Sequence, residues 1–147
     1  MSEEIKYGVF SWGPCIVQLK ITEEFRKKLL SEGEASKQEA LKFNEKLAGI
    51  LKEEYAYRDK EVFLPEISQV LGVYDQAFQK FKNKPYEQKP EYLLNTLWIN
   101  YMKKNEYNPP HDHADNLSFV IFLDVPEEIQ KEQKEYKGQS AGPGSLM

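Results

Sequence analysis

The sequence predicts an α+β domain in which helices come first and strands follow. Three stretches in the first 90 residues repeat apolar side chains at helical spacing, and two long apolar runs after Pro90 read as strands. With 147 residues, 40% hydrophobic and 30% charged, the chain has the size and balance of one domain with a real core. The expected division within that single domain, residues 1–147, is a mainly helical support region over 1–90 and a strand-rich core over 91–147.

Residues 15–21 alternate Ile16, Gln18 and Lys20 against Val17, Leu19 and Ile21, behind the break at Gly13-Pro14, which predicts a strand. Thr22 then has the character of a helix N-cap, with Glu23 and Glu24 where the helix dipole favours acids. Phe25, Leu29 and Leu30 give that helix its apolar stripe, and Gly33 is expected to end or interrupt it. A second helix is expected over 36–54 from the spacing of Ala40, Phe43, Leu47, Ile50 and Leu51, with Gly49 weakening it. A third follows Pro65, carries Ile67, Val70, Leu71, Tyr74, Phe78 and Phe81 on one stripe, and closes at Asn83-Lys84-Pro85. These stripes read as core packing. Residues 92–102 and 117–125 are the expected strands, the second ended by Pro126 and Glu127. The charged run over 127–136 suits a short exposed helix or loop, and 138–144 has the composition of a flexible loop.

Composition narrows the function classes. A net charge of -4 gives no broad basic footprint for nucleic acid. No apolar run approaches the roughly 20 residues of a membrane span, and the acidic N-terminus is not a secretory signal. The single cysteine, Cys15, lies in an apolar run and reads as a buried, inert thiol. A reducing cytoplasm is the expected location.

The chemistry concentrates in Pro109-Pro110-His111-Asp112-His113-Ala114-Asp115. The only two histidines stand at i and i+2, which random placement would produce in roughly 1% of such chains. On an extended chain, residues i, i+2 and i+4 project to one face, so His111, His113 and Asp115 would point the same way. Pro109-Pro110 opposes helix there. Two imidazoles and a carboxylate suit Fe(II), Mn, Ni or Zn, and three ligands on one face of an octahedron leave positions open. Asp112 points opposite in such a chain, as a solvated or supporting residue. The same residues also fit exposed side chains in a polar loop, with Asp115-Asn116 as ordinary turn chemistry.

Trp98-Ile99-Asn100-Tyr101, then Asn108-Pro109-Pro110-His111-Asp112-His113, then 117–122 and Val125-Pro126, together resemble a family of 2-oxoglutarate- and Fe(II)-dependent oxygenases of marine bacteria and their phages. The likeness covers about residues 97–126. It implies a double-stranded β-helix, or jelly roll, whose first part would be residues 91–147. It also implies oxidative decarboxylation of 2-oxoglutarate coupled to hydroxylation of a substrate by dioxygen. His111 and His113 fall on the His-x-His positions, and Asp115 offers the carboxylate of a His-x-Asp pair, making these three the implied iron ligands and catalytic centre. Trp98, Asn100 and Ser118 would line the pocket for the co-substrate, with core packing as the plainer role for Trp98. The pattern departs from the wider superfamily in one respect. No histidine follows His113, and the only arginines, Arg26 and Arg58, lie in the first half. A jelly roll incomplete at its C-terminus, in a shortened and weakly active chain, is the expectation that follows.

Two other readings stand beside it. A cupin-like metal-binding module also uses His-x-His on a strand, but the next Glu here is Glu127, a whole strand away. A non-enzymatic interaction protein would use its helices against a partner, or form a homo-oligomer through open sheet edges.

Overall fold

The computed structural model describes residues 13, 15–44, 49–109, 111 and 113–138. They form helix α1 (Glu23–Gln38), strand β1 (Glu54–Ala56), a single 3-10 turn (Glu61–Phe63), helix α2 (Leu64–Lys82), strand β2 (Trp98–Asn100) and helix α3 (Glu127–Glu135). The described residues divide into two compact units: one holds those before Ile21 together with Phe63–Leu93, the other those of Ile21–Val62 and from Leu94 to Gly138. No helix among the described residues is long and apolar enough to cross a membrane.

In the second unit, α1 begins where the N-cap expectation puts it. The Thr22 hydroxyl accepts the Phe25 amide at 3.1 Å, and Glu23 and Glu24 occupy the first turn. The helix does not stop at Gly33 but runs on to Gln38. Gly33 serves close packing instead: a Cβ there would lie 2.6 Å from Ile99 Cδ1 and 3.2 Å from the Tyr101 hydroxyl. The actual stop is a Schellman cap. The Leu41 amide donates to the Ser36 carbonyl and the Ala40 amide to the Lys37 carbonyl, with Ala40 in the left-handed region at φ 54°.

That cap overturns the helix expected over 36–54. The chain reverses at Ala40 and runs beside β1, with an isolated bridge between Lys42 and Tyr55. Gly49 at φ 120° is incompatible with helix, and Ile50 is 62% exposed where a helical stripe would bury it. Leu47 lies outside the described residues. β1 pairs antiparallel with β2 in the register Glu54↔Asn100, Tyr55↔Ile99, Ala56↔Trp98. Cross-strand partners share a face, so Tyr55 and Ile99 lie on one side, against α1 and Gly33, while Glu54, Ala56, Trp98 and Asn100 lie on the other. Phe25, Leu29, Leu51, Tyr55, Tyr57 and Ile99 are the buried apolar residues of this unit. The Tyr57 hydroxyl donates to the Leu29 carbonyl inside it at 3.1 Å, and its burial raises the phenol well above the ordinary range.

The jelly roll is contradicted. The described residues contain three α-helices and one two-stranded antiparallel sheet, not a double-stranded β-helix. Of the strand expected over 92–102, only Trp98–Asn100 is in the ladder, because its partner β1 is three residues long. The run 117–125 joins no ladder among the described residues, and Phe119, Val120 and Phe122 are 44%, 60% and 58% exposed. A continuous apolar strand needs sheet neighbours on both edges and cover on both faces, and no described segment provides them. Arg26 holds this run to α1 instead, donating to the Leu123 carbonyl at 2.8 Å while gripping Glu23 with its other nitrogens. The strand expected over 15–21 is likewise absent: Ile16 is 84% exposed, and Cys15 is a half-buried free thiol. The segment beyond Gly138 lies outside the described residues.

In the first unit, α2 matches its expected span. Pro65 sits in its first turn, and Asn83 at φ 51° closes it with the same Schellman pattern, Asn83 to Lys80 and Lys84 to Gln79. Its aromatic stripe stacks: Tyr74 on Phe78 with centroids 5.7 Å apart, and Phe78 on Tyr86 at 6.0 Å. Asp75 accepts from the hydroxyls of Tyr86 and Tyr92, at 3.0 and 2.5 Å, which folds the segment after the helix back onto it.

Ala40 is strained where glycine is not. Ala40→Gly is expected to stabilise the chain by about 0.5–1 kcal/mol, measured by urea denaturation; a loss of stability would show that the left-handed cap is not formed.

Candidate metal centre

The face of the sheet opposite α1 is the platform for the histidines. Phe43, on the chain beside β1, packs on Trp98 with ring centroids 5.9 Å apart. Trp98 is half-buried and carries the His113 ring at 6.4 Å, tilted by 35°. The row Phe43–Trp98–His113 thus links the buried sheet to an exposed imidazole. Trp98 packs on Phe43 and also meets the His113 ring.

His111 stands next to His113, with ring centroids 4.8 Å apart and planes at 65°. An ion held about 2.1 Å from one nitrogen of each ring, in cis octahedral or tetrahedral geometry, places two imidazole centroids about 4.5–5.2 Å apart. The observed spacing lies in that window. The Nδ1 of His111 is 2.8 Å from the Pro109 carbonyl. A carbonyl can only accept, so Nδ1 carries the proton and Nε2 is left as the lone-pair donor. Such a backbone contact is how metal-binding histidines are commonly oriented. Both rings are exposed, so an ion can reach them without any opening of the fold.

Asp115 does not join them as the i+4 geometry predicts. The chain bends over 114–116, which breaks the two-residue alternation expected between His113 and Asp115. The Asp115 carboxylate instead accepts from the Asn95 side-chain amide at 3.1 Å, and Lys60 donates to the Asn95 carbonyl at 2.5 Å. Among the described residues no three His, Cys, Asp or Glu side chains are grouped to hold a metal. Asp112 and Pro110 lie outside the described residues. Asn100 is exposed on the same sheet face as Trp98, opposite Glu54, and Ser118 is exposed outside any strand. The structure therefore brings together His111, His113 and Trp98, and gives Asp115 a different partner, Asn95.

Sequence reasoning did not find Phe43, Asn95 or the Pro109 carbonyl. Phe43 belonged to a helical stripe by spacing, and nothing in its neighbourhood signals the reversal at Ala40. A contact between Asn95 and Asp115 across 20 residues has no local signal at all. Scans against protein-family models and searches of curated proteins and of solved structures return no match to this chain.

A long-range proton–nitrogen NMR spectrum of neutral imidazoles is expected to show His111 in the Nδ1–H tautomer. The Nε2–H form would remove the orienting contact to Pro109.

Proposed function

We propose that this chain binds Fe(II), or a similar divalent transition metal, through His111 and His113, as the imidazole part of a 2-oxoglutarate-dependent oxygenase centre. One observation carries the metal reading: the 4.8 Å spacing of two accessible rings that are the only histidines in the chain. The tautomer imposed on His111 by Pro109 supports it. The oxygenase reading rests on the resemblance over residues 97–126, where Trp98 and the histidines share both a sequence pattern and a structural contact.

The donor set fits a metal held by two imidazoles, with further positions open to water or co-substrate. It does not by itself make a three-ligand site among the described residues, where Asp115 Oδ1 is held by Asn95. With iron, 2-oxoglutarate and dioxygen bound, such a centre would supply the oxidising power to hydroxylate a substrate whose identity the residues do not specify. The chain's own contribution is orientation: Pro109 sets His111, and Trp98 backs His113. A reducing cytoplasm suits a centre that depends on ferrous iron.

Anaerobic addition of Fe(II) and 2-oxoglutarate is expected to give a weak visible charge-transfer band, lost in His111→Ala and in His113→Ala. A band of equal strength in either variant contradicts the assignment. Asn95→Ala releases Asp115 and is expected to tighten iron binding several-fold, read from the same titration; unchanged affinity takes Asp115 out of the ligand set.

A further inference from the structure

Glu53 and Glu54 are neighbours in sequence with opposite surroundings. Glu53 has two lysine partners, Lys37 at 3.2 Å and Lys103 at 3.1 Å. Those partners, Lys103 first, hold its carboxyl below the usual range. Glu54 points to the other face of the sheet, is 2% exposed, and is among the most completely buried side chains of the described residues. Its Oε2 accepts from the Asn44 amide nitrogen at 3.3 Å. Its Oε1 is buried and has no hydrogen-bond partner among the described residues. Burial raises its carboxyl, and the charge that adds to this effect is another acid, Glu106.

Two more buried oxygens of the same neighbourhood are also without partners among the described residues, Asn44 Oδ1 and Asn108 Oδ1. The chain path brings these residues together. Asn44 donates its amide to the Leu51 carbonyl at 2.6 Å, and the Ile50 amide donates to the Tyr107 carbonyl at 3.1 Å. Gly49, at φ 120°, lies so close to Asn108 that a Cβ would be 2.8 Å from Asn108 Oδ1. Three buried acceptor oxygens, one of them on a carboxylate, therefore belong to one run of linked chain, and none of them has a hydrogen-bond donor among the described residues. Buried acceptors are normally satisfied, and a buried carboxylate is costly unless paired. Carboxylate and amide oxygens are the ligands of hard cations, with water filling the remaining positions.

We propose that Glu54, Asn44 and Asn108 form a binding site for a hard, oxygen-seeking cation of the Ca2+ class, separate from the histidine pair. The ion supplies the positive charge that Glu54 lacks, and it ties the chain around Asn44 and Asn108 to β1. Asn108 stands three residues before His111, so an ion here also steadies the segment that leads into the histidines.

The test uses Tb3+ as a luminescent probe on the intact chain, excited through its tyrosines and Trp98, with Ca2+ as competitor. A saturable signal displaced by Ca2+ is expected. Glu54→Gln should weaken Tb3+ at least tenfold, and the His111→Ala/His113→Ala double variant should leave it unchanged. Asn108→Asp, which adds a second carboxylate, should tighten binding and keeps the test valid if Glu54→Gln does not fold. The proposal is overturned by absence of a saturable site, by unchanged affinity in Glu54→Gln, by unchanged or weaker affinity in Asn108→Asp, or by loss of the signal in the double histidine variant. A higher melting temperature in Glu54→Gln, with the wild-type chain unmoved by Ca2+, overturns it too, since Glu54 would then be held as a neutral acid.

Discussion

The close approach of α1 to the two-stranded sheet at Gly33 and Ile99 is the contact on which the second unit depends. With no Cβ at Gly33, Ile99 and Tyr101 settle directly on the helix. This fixes which face of β2 is buried there. Because side chains alternate along a strand, Trp98 is then committed to the opposite face, where Phe43 packs under it and His113 rests on it. A helix–sheet contact made of apolar atoms thereby decides where an imidazole stands. Fully buried Ser36 strengthens the same frame, accepting the Arg58 amide at 3.1 Å and donating to the Glu32 carbonyl at 2.9 Å.

The two faces of that small sheet have different chemistry. One packs Tyr55, Tyr57 and Ile99 against α1, with Glu53 and its partners Lys37 and Lys103 at its edge. The other carries Trp98, with the histidines beyond it, and Glu54 with Asn44. A three-residue ladder supports both only because flanking bonds extend it. The Tyr57 amide reaches the Leu97 carbonyl, the Tyr101 amide reaches the Glu53 carbonyl, and residues 41–43 bond along the far side of β1. These additions make a wider platform than the strand lengths suggest.

Local signals were legible wherever the chain obeys them. Thr22 caps α1, Pro65 and Asn83 bound α2, and the charged run after Pro126 is the exposed helix α3. The failures have one physical origin. Periodicity reports which residues are apolar, not which have a partner to pack against. Phe43 and Leu51 have helical spacing, yet Ala40 in the left-handed region turns the chain into a sheet neighbour. The run 117–125 has the composition of a buried strand but no ladder among the described residues. The histidine pair was legible because i and i+2 lie on one side of any extended stretch. Asp115 was not, because the bend over 114–116 cancels that alternation and Asn95 competes for the carboxylate.

Under the proposed function, both imidazoles bind one ion. Pulsed EPR of the chain loaded with one equivalent of Cu(II), as a paramagnetic probe, measures this directly by counting coordinated imidazole nitrogens. Two histidine nitrogens per copper, falling to one in His113→Ala, is the result this account predicts. One or none in the unaltered chain would contradict it.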